Sequence, residues 1–233
     1  MTGRPGYQPK TRNTHFRKRK RIILLATEGA NRTESLYFKS ISWQDCVIRF
    51  AHGNYTDPVN MVTALKKEYD ELELDIKLGD AAFCLVDSDV DPKKDLKLEK
   101  ADSEAGGNIE LIVSSPCFEI WFLCHFSAST RQYFSSDEVL KALKRHIPNY
   151  RKEMNGIWGI LGDKTDIAIR NAIILEQECM NKGLKRHTVA MSLTLQNVNL
   201  KNNSLHSNHM ECCVTSFVAG VCYDLLKDSR VVL

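Results

Sequence analysis

The chain has 233 residues and a mass of 26.5 kDa, enough for one large domain or one domain with an appendage. Hydrophobic residues make up 43% and charged residues 26%, which excludes a disordered chain, a collagen-like fibre and a small disulfide-stapled scaffold. The net charge of +3 hides an asymmetry: residues 1–21 hold eight basic residues and no acid, so the other 24 basic residues face 29 acidic ones. A basic arm on a mildly acidic body suits an anionic partner such as nucleic acid, although a solvated tail would carry the same charges.

In chain order, residues 1–20 are rich in Gly, Pro, Arg and Lys and are expected to form a flexible arm. The run Ile22-Ile23-Leu24-Leu25-Ala26 suits a strand buried on both faces. It stops at the turn-prone Thr27-Glu28-Gly29-Ala30-Asn31-Arg32, and a helix is expected from about Thr33, with Leu36, Tyr37 and Ile41 on one side. Cys46 to Ala51 reads as a second strand. Asp57-Pro58 reads as a cap and first helical position, opening a helix to about Leu74 that buries Val59, Val62, Leu65 and Tyr69. Ala81 to Val86 is a further apolar strand, ended by Asp87-Ser88-Asp89-Val90-Asp91-Pro92.

The charged segment Lys93 to Glu104 reads as a solvated helix or a loop, and Gly106-Gly107 closes it. Ile109 to Ser114 is then a fourth strand, and Pro116 opens an apolar helix through Phe126. Strand and helix alternate over this half, which predicts an α/β architecture with a mostly parallel sheet. Beyond it, helices are expected from Ser136-Asp137 to about His146, from Asp166 to about Asn181 and from Cys212 to Leu226, the last after a loop at Gln196 to His209. The expected division is an arm at 1–20, an α/β core at 21–130 and a helical region at 131–233 packed on it.

The eight cysteines include no C-x-x-C pair, and Cys84 sits inside an apolar run, as expected of small buried hydrophobes in a reducing compartment. His209, Cys212 and Cys213 match no structural zinc spacing. The apolar stretch 22–26 is too short for a signal core or a membrane span, so a cytoplasmic location is expected.

Two acidic clusters lie just past the ends of buried strands, where open α/β sheets gather ligands and catalysts. One is Glu28-Gly29 with Glu34 beyond it; the other is Asp87-x-Asp89-x-Asp91. Alternate residues of an extended segment point the same way, so Asp87 and Asp89 are expected to converge on one cation. Carboxylates without nearby His or Cys are hard ligands, favouring Mg²⁺ or Mn²⁺ over zinc. An EF-hand is excluded, because its sixth and twelfth positions would be Pro92 and Leu98 instead of Gly and Glu. A plain polar turn leading into a helix remains the competing reading of Asp87-x-Asp89.

In 116–126, Phe118, Phe122 and Phe126 share a helix face, as do Trp121 and His125, which is the pattern of a core helix. Glu119 is the exception there: a carboxylate so placed has to be paired or aimed into the acidic pocket. Glu34 reads equally well as a first-turn acid favoured by the helix dipole, and His125 as a core histidine. No Gly-x-Ser-x-Gly elbow and no Walker A pattern is present, so any ATPase activity would come from another chain.

The order of strand, Glu28-Gly29, helix, strand, helix, strand and Asp87-x-Asp89 resembles the Toprim fold of topoisomerases, primases and OLD-family nucleases. More narrowly, residues 20 to 180 resemble the RloB family. The likeness is carried by Ile23-Leu24-Leu25-Ala26-Thr27-Glu28-Gly29, Thr33-Glu34, Tyr37-Phe38, Val86-Asp87-x-Asp89 and above all by Ser115-Pro116-Cys117-Phe118-Glu119-Ile120-Trp121 running to His125-Phe126. Tyr150-Arg151-Lys152 resembles the family's middle region, while Thr27, Ser115 and the C-terminal quarter depart from its pattern. The resemblance implies an antiphage, abortive-infection effector that cleaves nucleic-acid phosphodiesters with Mg²⁺ or Mn²⁺, beside an ATPase partner of ABC or OLD-like type. It also implies Glu28 as general acid/base or metal ligand and Asp87 and Asp89 as the metal pair. Asp91 is a further candidate ligand and Glu119 a further candidate catalytic residue. Arg17, Lys18, Arg19, Lys20 and Arg32 are candidates for contact with the nucleic-acid backbone. The rival reading is a non-catalytic metal- or nucleotide-binding subunit of an ATPase complex. Self-association is left open.

Overall fold

A computed structural model describes residues 19–28, 33–43, 46–128 and 131–181. Four parallel strands, β1 (Arg21–Thr27), β2 (Cys46–Phe50), β3 (Ala81–Asp87) and β4 (Ile109–Ser114), form one sheet in the order β2-β1-β3-β4. The register sets Leu25 against Phe50 and Phe83, and Asp87 against Ser114. The apolar runs of β1, β3 and β4 are buried on both faces because helices cover both.

The chain steps left from β1 to β2 through α1 (Thr33–Ser40). It then turns back to β3 through α2 (Pro58–Glu71) and on to β4 through α3 (Pro92–Ala105). Right-handed crossovers put helices of opposite stepping direction on opposite faces. Accordingly, Leu24, Ala26, Ala82, Cys84, Val86, Leu111 and Val113 bury against Met61, Val62, Leu65 and Tyr69 of α2 and Leu98 and Ala101 of α3. Ile23, Leu25, Phe83, Leu85 and Ile112 face the other way, onto Tyr37, Phe38 and a helical layer from 117–175. That layer comprises α4 (Glu119–Cys124), α5 (Ser136–Leu143), α6 (Trp158–Leu161) and α7 (Thr165–Asn181). The described part of 131–181 thus packs on one sheet face.

Caps follow the sequence where side chains supply them: Asp57 accepts from the Val59 and Asn60 N–H groups, with Pro58 as the first helical residue. Ser135, one residue before the expected cap, accepts from the Glu138 N–H. Two expectations change. Residues 93–104 are neither loop nor fully solvated, because Leu98, Ala101 and Ala105 give α3 a narrow apolar stripe. The helix expected over 116–126 is the six-residue α4, entered after a cis Ser115–Pro116 bond. The proposed C-terminal helix and the 196–209 loop lie outside the described residues.

Candidate functional site

The crossover direction reverses between β1 and β3, and there the carboxyl ends of adjacent strands open a crevice. Glu28 follows the last residue of β1 and Asp87 ends β3. A Glu28 oxygen accepts the Asp87 backbone N–H at 3.0 Å, joining the two strand ends. The Lys94 ammonium, from the first turn of α3, donates to both Glu28 oxygens at 2.6 and 2.8 Å and to Asp89 Oδ2 at 2.7 Å. Glu28 and Asp89 therefore do converge on a cation, and that cation is a lysine.

Asp89 gets there by a route the sequence did not indicate. The extended backbone ends at Asp87, and Asp89 and Val90 take φ of 51° and 54°, a left-handed turn that a β-branched residue adopts only under constraint. The constraint is visible. Ser88 N–H donates to Ser114 O, the Ser88 and Ser115 hydroxyls pair at 2.9 Å, and Asp89 N–H donates to Pro116 O at 3.2 Å. The β3 and β4 ends are thereby tied together, which also brings in the segment leading to Glu119.

Glu119, the first residue of α4, is 2% exposed, and its Oε1 accepts from the Tyr150 hydroxyl at 3.0 Å. Glu34, in the first turn of α1, is 5% exposed, and its Oε2 has no hydrogen-bond partner among the described residues. Burial pushes the Glu34 carboxyl up to about 7, opposed in part by a hydrogen bond from its own backbone N–H and by Lys152, and reinforced by the negative charges of Glu119 and Glu28. Burial also raises Asp87 well above the usual carboxylate range, with Glu34, Glu119, Glu28 and Asp89 all acting in the same direction. The Lys152 ammonium, on an exposed residue, has its pKa raised by Glu119, Asp87 and Glu34, which outweigh its partial desolvation. Five carboxylates from four chain segments thus share one electrostatic environment with two lysines.

Asp91 serves instead as the N-cap of α3, its Oδ1 accepting from the Lys93 N–H at 2.9 Å. Arg19 forms a bidentate pair with Asp80, at 2.9 and 2.8 Å, before the start of β1. It and the exposed Lys20 therefore lie at the opposite end of the sheet from the acids. Arg17, Lys18 and Arg32 lie outside the described residues. His125 is a core residue, 1% exposed, with Nδ1 2.9 Å from Trp121 O and its ring edge-on to Trp121.

Lys94, Lys152 and Tyr150 escaped the sequence reading as site residues. For Lys94 the available signal was a lysine two positions after the Asp91-Pro92 helix start, one turn from the Asp-x-Asp. Tyr150 and Lys152 lay within a segment noted only for its resemblance.

Among the described residues, no three His, Cys, Asp or Glu side chains are already gathered as a metal cage. The donor chemistry nevertheless fits a hard divalent ion: all the candidate ligands are carboxylates, an ammonium stands in as the cation, and Glu34 presents an orphaned buried oxygen. Such an ion would have to displace the Lys94 ammonium. No helix in the described residues is long and apolar enough to cross a membrane.

No curated protein and no solved structure matches the chain. The family model described as RloB-like protein matches residues 23–197, which take in most of β1, the acidic crevice, α4 and the Tyr150–Lys152 segment. The chain belongs to the RloB-like family.

Proposed function

We propose that this protein is a Toprim-like nuclease that uses Mg²⁺ or Mn²⁺ to cleave nucleic-acid phosphodiesters as an antiphage effector, under the control of an ATPase partner. The observation that carries the reading is the gathering of acidic side chains at the carboxyl edge, close enough to raise one another's pKa. Glu28, Asp87, Asp89, Glu34 and Glu119 meet there, and among the described residues Lys94 and Lys152 stand in counterpoise. Concentrated acids are what a divalent ion beside an anionic substrate requires.

Glu28, Asp87 and Asp89 would hold the ion, which supplies charge neutralisation at the phosphate and a more acidic attacking water. The chain's own groups do the rest. The hydrogen bond from the Asp87 N–H fixes the Glu28 carboxylate, and Tyr150 fixes Glu119. Glu34, raised to about 7, is able to take up or release a proton near neutrality. Lys94, once released from Glu28 and Asp89, and Lys152 would offer ammonium groups to phosphate oxygens.

The test is cleavage of DNA and RNA by purified full-length protein with its partner and Mg²⁺ or Mn²⁺. Glu28→Gln and Asp87→Asn should each lower the rate at least a hundredfold with unchanged far-UV circular dichroism. One observation favours the rival, a non-catalytic binding subunit: the Glu28–Lys94–Asp89 bridge already neutralises part of the site without a metal. Wild-type protein that cuts neither nucleic acid under these conditions would establish that rival.

A further inference from the structure

One gap along the sheet from the acids, a cleft of about 190 Å³ opens at the carboxyl ends of β1 and β2. Its floor is Leu25 to Thr27, the residues directly before Glu28, and one wall carries Lys39 of α1. The other wall is the loop after β2, 51–55.

That loop is constructed around an aromatic ring. Gly53 has φ of +110°, and a Cβ there would come within 2.3 Å of the Tyr55 ring, so only glycine allows both the turn and the close approach. Glu68 of α2 holds the loop from below, accepting the His52 backbone N–H at 2.9 Å and lying 3.1 Å from its Nδ1. The ring so placed is still 41% exposed. Lys39 lines the same cleft, its ammonium over the Phe50 ring, 4.6 Å from the centroid.

We infer that this cleft is a nucleotide subsite, in which one unpaired base stacks on Tyr55 while Lys39 faces its phosphate. The inference rests on the nuclease reading for its substrate class and adds which form of nucleic acid enters. Strands of a sheet lie about 5 Å apart, so a base in the β1/β2 gap sits roughly one nucleotide from a phosphate in the β1/β3 gap. An aromatic face in a cleft that also holds a cation takes any base without reading its edge, and it is reachable only by a base outside a duplex stack. Single-stranded or locally opened nucleic acid is therefore the ligand. RNA and DNA share the required chemistry, and parallel measurements separate them.

The experiment measures binding of fluorescein-labelled single-stranded 10-mers, RNA and DNA, and of the matching duplexes, by anisotropy in EDTA with full-length protein. Tyr55→Ala should weaken single-strand binding about tenfold, the usual loss for one stacked base. Tyr55→Trp should stay within threefold of wild type, and Lys39→Ala should flatten the salt dependence. Duplex affinity should not move with Tyr55. The inference is overturned if wild type binds no single strand, if Tyr55→Ala changes its affinity less than twofold, or if single strand and duplex weaken alike. Cleavage read in parallel, with the partner and Mg²⁺ present, keeps the two proposals apart. Tyr55-dependent binding without cleavage supports the subsite and ends the nuclease reading, whereas cleavage of single strands indifferent to Tyr55→Ala ends the subsite alone.

Discussion

Lys94 Nζ lies 2.6 Å from Glu28 Oε1, and its side chain is only 12% exposed, so the central cation of the crevice is a nearly buried ammonium from α3. The same group reaches Asp89, 54% exposed, on the outer side. Burial alone would lower the Lys94 pKa, yet its hydrogen bonds to Asp89 and Glu28 outweigh that and raise it, so the lysine stays charged. It is a strap across the crevice that any incoming ion has to release.

Lys94→Met should therefore separate the structural and metal-binding roles of the bridge. Removing the ammonium leaves Glu28 and Asp89 facing each other without a counterion, a loss of about 2 kcal/mol, or roughly 4–8 °C in melting temperature for a chain of this size. Added Mg²⁺ should restore more stability to the variant than it adds to wild type, because no competitor has to leave. Melting curves with and without Mg²⁺ check this, and equal Mg²⁺ responses in the two proteins would show that Lys94 does not stand in the ion's place.

The sheet was legible in the sequence because β1, β3 and β4 are continuous apolar runs, and each ended within a residue of its expected limit. Asp57-Pro58 marked its helix for the same local reason. What stayed hidden depends on contacts between distant segments. The left-handed turn at Asp89 and Val90 is enforced by the β4 end through Ser114, Ser115 and Pro116, which nothing in Asp-Ser-Asp-Val reveals. Glu34 looks like an ordinary first-turn acid until the 150–153 segment is laid over it, where the Glu153 N–H donates to Thr33 Oγ1 at 3.3 Å. Lys94 was submerged in a charged stretch whose apolar stripe is only Leu98, Ala101 and Ala105.

Glu34 and His125 should give the metal-free protein two opposite pH slopes. Glu34 is raised from an ordinary 4.5 to about 7, so folding favours its neutral form. The resulting stability is complete below pH 4.5 and is lost as pH rises through 7, by up to about 3 kcal/mol. His125 is lowered from 6.5 to about 4, first by burial, with Lys164 acting in the same direction and backbone carbonyls opposing. Its contribution is complete above pH 6.5 and is lost as pH falls toward 4. Denaturant titrations from pH 4 to 8 should show Glu34→Gln flattening the alkaline limb and His125→Phe the acid limb. A Glu34→Gln profile parallel to wild type from pH 4.5 to 7 would contradict the burial of the Glu34 carboxyl.

At the opposite end of the sheet, Asp80 organises the entry to β1. Its carboxylate is fully buried and accepts two bonds from Arg19, one from the Ile22 N–H at 2.7 Å and one from the Asp75 N–H at 3.1 Å. Burial alone would raise its pKa, but the Arg19 guanidinium and these N–H groups prevail and hold it below the usual range. Its stabilising effect is therefore present above pH 3.8 and lost only as pH falls through that depressed value. An amide cannot accept this set, so Asp80→Asn should cost about 3 kcal/mol. Arg19→Ala should cost less, because the arginine side chain is 45% exposed while both backbone donors keep their acceptor.

This geometry also decides how the basic arm has to be tested. Truncation through residue 20 would remove Arg19 and strand the buried Asp80 charge, so a loss of nucleic-acid binding would be confounded with a loss of stability. Deletion of residues 1–18 keeps the pair and still removes five of the basic residues, Arg4, Lys10, Arg12, Arg17 and Lys18. With an unchanged melting temperature, the shortened protein should bind nucleic acid more weakly and with a shallower dependence of log affinity on log salt, since fewer counterions are released. A salt slope equal to that of the full chain would show that the arm makes no phosphate contact.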